Sequence, residues 1–539
     1  MALDFISVLR QPDRVTGATD ATAYRFEEDP QAPCPVEYDI RPEGSCLKVT
    51  VYPSGSPVRF LKLRFRGDLS FVDSVCGDEW ARSTGQDNPV QWCSMMAHRR
   101  LPWFCYLRAG DRLGCYGVKT GPNCFAFWQA DTHGLTLFLN LMAGSCGADL
   151  QEPILACQIV ERFSREGESP YQAAAAFAGC MCTDPVLPKE PVFGVNNWYW
   201  AYGSITRETV MKEVDYLSEM TVNVQHRPYM VIDDGWQICR TRTAPAYIGG
   251  PWYGGDHFGD MEEVASRIRE KGAKPGIWFR PLLTLGRIPP DACLALDSGG
   301  QIMDPSHPYT LHRIREDTER IHNWGFELVK HDFSTQDLLG LGLMTAQNHG
   351  VTLMAANRKL YDTTRPLAAV IKDLYRTIQD GMGSDPVIGC CTVGHLVAGI
   401  HALQRVGGDT SGRSWEWTVR NGVNAMMRLP KNDNFFRNDP DCAAFTPKVP
   451  AEINLDFLEM CALTGVTTLA SVTPGILTKA QMARIQRIYA IADRDETRYG
   501  IVNFEKTSLP EIFEEKGIRR EFNWSSVYDG SRSQLNWVE

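Results

Sequence analysis

From residue 192 onward the chain alternates between β-favouring runs and amphipathic helical patterns, and this alternation constrains its fold more than any other feature. Strand candidates are FGVNNWYW, YMVIDDGW, KPGIWFRPLL, FELVKHDFS, PVIGCCTVGH, HALQRVGGD, a weaker segment near DNFF, and VTTLASVT. Helical stretches fall between most of them. RETVMKEVDYLSEM places Val210, Val214 and Leu217 on one face at i, i+4 and i+7. MEEVASRIREKG, TLHRIREDTERIHNWG, RPLAAVIKDLYRTIQDGM, EWTVRNGVNAMMRL, LDFLEMCALTG and KAQMARIQRIYAIAD continue the series. Eight strand–helix units over about 300 residues predict an α/β chain with a (β/α)8 barrel. Strands five and six are joined by only a few residues, so the helix between them is missing or very short.

The stretch before the barrel reads differently. LKVTVYP, VRFLKLRFRG, RLGCYGVKTG and LTLFLNLMAG are short β-favouring runs punctuated by Gly and Pro. Few helical patterns interrupt them until YQAAAAFAGCM, which predicts a β-sandwich. DPVLPKEPV, with three Pro in nine residues, reads as the linker. The expected division is an N-terminal sandwich over 1–185, the barrel over 186–493 and a short C-terminal segment over 494–539. That last segment is long enough to complete a small sheet or cap the barrel, but too short for a full sandwich.

Charge and cysteine usage exclude several classes. The net charge is −10 with no block of like charges, which argues against nucleic acid, because phosphate neutralisation needs a basic face. Seventeen Cys lack CxxC pairs; Cys180/Cys182 and the adjacent Cys390/Cys391 are the nearest approach, so a zinc ribbon is disfavoured. Many unpaired thiols suit a reducing compartment. MALDFISVLRQPDRV has no continuous apolar run, and no stretch approaches the roughly 18 apolar residues of a membrane span. A cytoplasmic protein is expected. Homo-oligomer formation is compatible with the sequence.

Barrel enzymes place their sites at the C-terminal ends of the strands. There the chain carries Asn196, Asn197, Trp198, Tyr199 and Trp200; then Asp233, Asp234, Gly235 and Trp236; then Trp278 and Arg280. Strand four ends in Lys330, His331 and Asp332, strand five in Cys390, Cys391 and Thr392, and strand six in Asp409, followed by Arg413. Carboxylates beside Trp make a sugar-site composition: indole faces stack on sugar C–H faces, and carboxylates accept paired hydroxyls. The competing reading of each Asp is a helix N-cap. Period-2 alternation turns Lys330 and Asp332 to the same side and His331 to the other, where it packs. A lysine there keeps a neighbouring carboxylate ionised, as a nucleophile requires. Met426 and Met427 read as core; Trp415 and Trp417 fit helix packing or an outer sugar subsite equally.

The order NNW, Asp-Asp-Gly-Trp, KPGIWF, Lys330-His331-Asp332 and Gly408-Asp409-Thr410, running from about 193 to 420, resembles clan D glycoside hydrolases. Within that clan the chain is most similar to family 36, the α-galactosidases and α-N-acetylgalactosaminidases. The resemblance implies Asp332 as nucleophile and Asp409 as general acid/base. It further implies Asp233 and Asp234 on O4 and O6 of galactose, Lys330 near O3 and O4, and Trp198 and Trp278 as walls of the −1 subsite. Cys390 falls where the family has a Cys-Ser-Gly-Gly loop beside the sugar C2 substituent. Here that loop is Cys390-Cys391-Thr392-Val393-Gly394-His395, so Cys390 and Thr392 are the expected C2 contacts. The usual carboxylate after the strand-three Trp-Phe pair is replaced by Arg280, which suggests a negative or extended aglycone.

No P-loop, GxGxxG, HExxH or GxSxG motif is present, and the eleven His show no metal spacing, so neither a cofactor nor a metal is expected. The expected activity is a retaining, exo-acting α-galactosidase-like hydrolysis of a small-molecule or oligosaccharide α-glycoside. An α-N-acetylgalactosaminidase, a transglycosylase of the raffinose-synthase type and a non-catalytic sugar-binding protein are the alternatives. In the expected mechanism burial raises the pKa of Asp409, leaving it the protonated acid.

Overall fold

The computed structural model describes residues 4–22, 33–82, 90–95, 99–240, 246–297, 299–340 and 353–524, with the backbone of 535–538. The first three residues and 525–534 of the C-terminal segment lie outside the described residues.

Ahead of the barrel, strands form a five-stranded and a six-stranded antiparallel sheet. Alternation builds their core. In the strand Val58–Arg66, Leu61, Leu63 and Phe65 are buried while Lys62 and Arg64 face outward. The helix Pro170–Met181 follows, with a capping box in which Ser169 and Gln172 exchange hydrogen bonds of 3.0 and 3.2 Å.

The barrel strands are β1 (Phe193–Asn196), β2 (Tyr229–Ile232), β3 (Lys274–Phe279), β4 (Leu328–His331), β5 (Val387–Gly389), β6 (Leu403–Arg405), β7 (Arg437–Asp439), β8 (Cys442–Phe445) and β9 (Thr468–Val472). They form one parallel sheet in the order β7-β6-β5-β4-β3-β2-β1-β9-β8. The ends of this order, β7 and β8, are consecutive in the chain, so residues 437–445 close the ring. The expected seventh strand near DNFF is therefore displaced. Residues 433–436 form a turn, with Asp433 at φ 59° and its N–H bonded to Phe436 O at 2.9 Å. The strand follows in two pieces, because Pro440 has no N–H to donate and Asp441 takes φ 72°. The first strand is also shorter than FGVNNWYW suggests. Asn196 Oδ1 accepts the Trp198 N–H at 3.0 Å and turns the chain into the short helix Trp198–Ala201.

Helices lie between the strands as their apolar periodicity dictates. Arg207–Met220 buries Val210, Val214 and Leu217. Between β5 and β6 the helix is only Gly394–Val397, matching the short connection. Met426 and Met427 are core, and His331 is fully buried beside Tyr375 and His401. Trp415 is buried, whereas Trp417 is exposed under Arg420. The C-terminal segment adds a four-stranded antiparallel sheet, Gly500–Ile501, Ile512–Glu515, Ile518–Phe522 and Leu535–Val538, tied down by Trp524 Nε1 donating to Pro510 O at 2.8 Å.

The N-terminal sheets dock on the β5–β6 side of the barrel through polar contacts. Asp78 accepts from Arg428 Nε at 2.7 Å and pairs with Lys431. His395 stacks on Trp103 at 4.8 Å and bonds Val118 O. Lys372 Nζ reaches Gly121 O and Asn123 Oδ1, each at 2.7 Å. No described helix is long and apolar enough to cross a membrane.

One buried carboxyl tests this packing. Glu213 faces inward from Arg207–Met220, and burial pushes it up to about 8, against the opposing effect of the Trp200 Nε1–H bond at 3.0 Å. A carboxyl raised in the folded state stabilises fully below its unfolded pKa, and that contribution is lost as pH rises toward 8. Glu213→Gln should therefore raise Tm at pH 8 and leave it nearly unchanged at pH 4. Equal shifts at both values in thermal unfolding would contradict the buried acid.

Candidate active site

At the end of β2 the chain turns sharply through Gly235 at φ 111°, leaving Asp233 and Asp234 buried in the barrel mouth. Two adjacent buried carboxylates need partners, and each has its own set. Asp233 Oδ2 accepts from Lys330 Nζ at 2.7 Å and Asn196 Nδ2 at 2.6 Å, while its N–H donates to Asn197 Oδ1 at 2.9 Å. Asp234 accepts from Gln237 Nε2 at 2.8 Å and from the Tyr247 N–H at 2.5 Å. Burial dominates for Asp234: despite those bonds its carboxyl is pushed up to about 7.

Lys330 and Asp332 share a side of β4, as alternation requires. Asp332 Oδ2 accepts from Trp278 Nε1 at 3.1 Å, and Oδ1 from the Phe333 N–H at 2.8 Å, where Phe333 adopts φ 62°. Burial alone would raise its pKa. Arg82 and Lys330, with bonds from Cys391 and Trp278, outweigh burial and hold the carboxyl well below the usual range.

Asp409 lies past β6 with its side chain 54% exposed. Its Oδ1 accepts from Arg82 Nη1 at 2.8 Å and Arg405 Nη2 at 3.1 Å. Both guanidinium groups are buried, and both also contact Cys390 Sγ, at 3.3 and 3.4 Å. The expected raised pKa of Asp409 is overturned by these neighbours. Partial desolvation by the surrounding mouth pushes upward, but Arg82 and Arg405 prevail and the pKa is lowered. Arg405 is itself paired with buried Asp441, which also takes the Tyr199 hydroxyl and the Thr410 N–H.

The other expected site residues divide. Trp198 is buried against Tyr247 and Tyr202, each ring 5.5 Å away. Arg413 sits exposed over the Tyr202 ring at 3.9 Å. Arg280 does not reach toward an aglycone. Its guanidinium makes a buried two-point pair with Asp337, at 2.9 and 2.6 Å, and stacks on Phe333 at 4.3 Å. Thr392 is fully buried, and its hydroxyl is spent on Gln404 Oε1 at 2.6 Å, so it is not placed to read a sugar substituent.

Sequence reasoning passed over Arg82, Asp441, Tyr247 and Gln237. The last two follow closely on the Asp-Asp-Gly-Trp motif, on the loop that returns to it. Arg82 comes from the segment ahead of the barrel and carries no motif at all.

The fold is that of the α-galactosidases of glycoside hydrolase family 36. No family model matches the chain. TtGalA, an α-galactosidase from Thermus thermophilus solved with p-nitrophenyl α-D-galactopyranoside, is 16% identical over 90% of this chain and 95% of its own, with a TM-score of 0.59. The family 36 α-galactosidase AgaA from Geobacillus stearothermophilus, solved with 1-deoxygalactonojirimycin, is 12% identical over 90% of this chain and 73% of its own, at 0.58. The galactosidase domain of the α-galactosidase–sucrose kinase AgaSK is 13% identical over 90% and 69%, at 0.60.

The Arg280 pairing has a measurable consequence. Removing one partner of a buried ion pair strands the other, at a cost of about 3–5 kcal/mol. Asp337→Ala should lower stability by that amount in urea unfolding, and Arg280→Met/Asp337→Leu together should recover most of it. A stable Asp337→Ala single variant would mean the guanidinium is free for other work.

Proposed function

We propose that this chain is a retaining, exo-acting glycoside hydrolase that cleaves terminal α-galactosides through a covalent glycosyl-enzyme intermediate. The observation that carries the reading is the linked set at the ends of β2, β3 and β4: Asp233 on Lys330, and Asp332 fixed by Trp278 and kept ionised by Arg82 and Lys330. An ionised, oriented carboxylate is what nucleophilic attack on C1 requires. The similarity in fold to α-galactosidases, among them TtGalA in complex with stachyose, supports the same substrate class.

In this reading Asp332 attacks the anomeric carbon from the floor of the mouth. Asp409, at the more exposed rim, donates a proton to the departing oxygen and then takes one from the incoming water. Asp233 and Asp234 accept hydroxyls of the sugar, Lys330 donates to a neighbouring one, and Trp198 and Trp278 wall the ring. Cys390 lies under the two guanidinium groups, on the side where a C2 substituent would sit. Because Arg82 and Arg405 favour the ionised form of Asp409, base catalysis of the second step comes readily. Protonation of a poor leaving group is the harder half.

Four outcomes are expected. Asp332→Ala should lose nearly all turnover, with azide restoring some of it as the β-glycosyl azide. Asp409→Ala should retain more activity on dinitrophenyl galactosides than on alkyl ones. Asp233→Ala removes charge-assisted hydrogen bonds of ~1.5–3 kcal/mol, about 10- to 150-fold in kcat/KM. The deciding measurement is proton NMR of the product before mutarotation. First release of the α-anomer agrees with retention; first release of the β-anomer would mean inversion and overturn the nucleophile assignment.

A further inference from the structure

The loop after β2 returns to the mouth and delivers Tyr247, a residue that no step of the catalytic scheme uses. Its backbone is engaged twice. The N–H donates to Asp234 Oδ2 at 2.5 Å, and the carbonyl accepts from Arg280 Nη1 at 3.3 Å. The next carbonyl, of Ile248, accepts from Gln237 Nε2 at 2.8 Å, and the Gly250 N–H donates to Leu283 O at 2.9 Å. Within this network Tyr247 takes φ 62°, in the left-handed region. A bulky side chain is an outlier there and persists only where its surroundings over-determine it. Gly or Asn would meet the same backbone demands with less strain. The backbone therefore does not account for a tyrosine, and the ring and hydroxyl need a reason of their own.

Packing is not that reason. Tyr247 is 53% exposed, although its ring meets Trp198 at 5.5 Å and Phe333 at 6.0 Å, both edge-on. Trp198 is buried and Phe333 directly follows Asp332, so Tyr247 stands between the floor of the mouth and its rim. Its hydroxyl has no hydrogen-bond partner among the described residues. Four carboxylates nevertheless act on it: Asp409 most, then Asp234, Asp233 and Asp332. Partial burial and these charges push its pKa up to about 12, so it keeps its proton and stands as a donor. A phenol that faces four carboxylates and bonds none of them is separated from them by a gap. In the proposed mechanism that gap holds substrate, and Asp409 works on the oxygen that departs. A group at the rim on which Asp409 acts most lies beside whatever leaves with that oxygen.

We propose that Tyr247 receives the leaving group, and that the leaving group it selects is itself a sugar ring: the aromatic ring lies against the C–H face of that sugar, and the phenol donates to one of its hydroxyls. This assignment rests on the proposed function and narrows it, from α-galactosides at large to oligosaccharides in which galactose is joined to a second ring. A tyrosine suits the task, because it offers a large, stiff, amphipathic surface on two torsions and so loses little entropy when a ligand lands. The same assignment gives Arg280 a use. Held by Asp337 and stacked on Phe333, Arg280 is a positioning residue that fixes the Tyr247 carbonyl.

The test compares two galactosyl donors. Raffinose has a sugar that leaves, whereas α-galactosyl fluoride releases only fluoride and has no second ring to meet Tyr247. Tyr247→Gly removes the side chain and relieves the left-handed backbone while keeping the N–H and the carbonyl. The ratio of kcat/KM on raffinose to kcat/KM on the fluoride should fall about 10- to 100-fold, the effect of a ring contact and a hydrogen bond together. Tyr247→Phe keeps the ring and should lower the ratio only about three- to tenfold. Arg280→Met/Asp337→Leu, which frees the carbonyl, should lower it in the same direction by less than Tyr247→Gly; an unmoved ratio there would remove the positioning role. A structural fault passed through Asp234 lowers both activities alike, so a ratio that stays fixed in Tyr247→Gly overturns the assignment. Should that variant fail to fold, Tyr247→Asn, which also accepts the left-handed backbone, carries the same expectation. Hydrolysis of the fluoride but not of raffinose by the unaltered chain would overturn the assignment and leave the proposed function standing. Hydrolysis of neither would overturn both.

Discussion

Arg82 and Arg405 converge on one carboxylate oxygen of Asp409, and much of the mouth is arranged around that meeting. Two buried cations side by side repel, so each needs compensation. Arg405 has Asp441 beneath it, which in turn gathers the Tyr199 hydroxyl and the Thr410 N–H. Arg82 has Asp409 and the electrostatic attraction of Asp332. The split in the closing strand follows from the same need. Pro440 and the left-handed Asp441 interrupt β7 and β8 and bring a carboxylate under the guanidinium instead of leaving a regular ladder.

This arrangement makes the N-terminal sheets part of the site. A barrel alone supplies Arg405 but not Arg82. The polar docking face, with Asp78 on Arg428 and Lys431 and His395 on Trp103, fixes the segment carrying Arg82 against β5 and β6. Buried polar contacts of this kind tolerate little displacement, since a separated pair leaves an unsatisfied charge. The rigidity of the interface therefore bears directly on the charge state of Asp409.

The barrel is legible from the sequence because parallel strands buried on both faces read as continuous apolar runs, and each helix shows its own period. Strand seven is not, since Arg437–Asp439 is polar and Pro440 breaks the run. The strand-end carboxylates are equally legible, because position along a barrel strand and two-residue alternation place Asp233, Lys330 and Asp332 without further information. Their electrostatics are a different matter. Arg82 stands 327 residues before Asp409, so a reading confined to each strand's own neighbours expects a raised acid where the folded chain makes a lowered one. The same reasoning misassigns Arg280 and Thr392. A guanidinium or hydroxyl at a strand end can be consumed by a partner, here Asp337 and Gln404, that only the fold brings close.

Asp233 and Asp234 carry the argument one step further. They are adjacent in sequence and equally buried, yet the fold treats them oppositely. Asp233 is given a cation, Lys330, and an amide donor, Asn196. Asp234 is given only uncharged hydrogen-bond donors, from Gln237 and the Tyr247 backbone, and burial, with a smaller push from neighbouring Asp233, raises it to about 7. Were both ionised without Lys330, their repulsion in a buried mouth would have to be met by unfolding or by water. One paired carboxylate and one that titrates near neutrality resolve that conflict inside a single turn. Under the proposed function they face a sugar as different groups: Asp233 as an acceptor held by charge, Asp234 as a carboxyl able to donate or accept. Lys330, countering Asp233 while helping to hold Asp332 ionised, is the residue through which recognition of the sugar and activation of the nucleophile depend on each other.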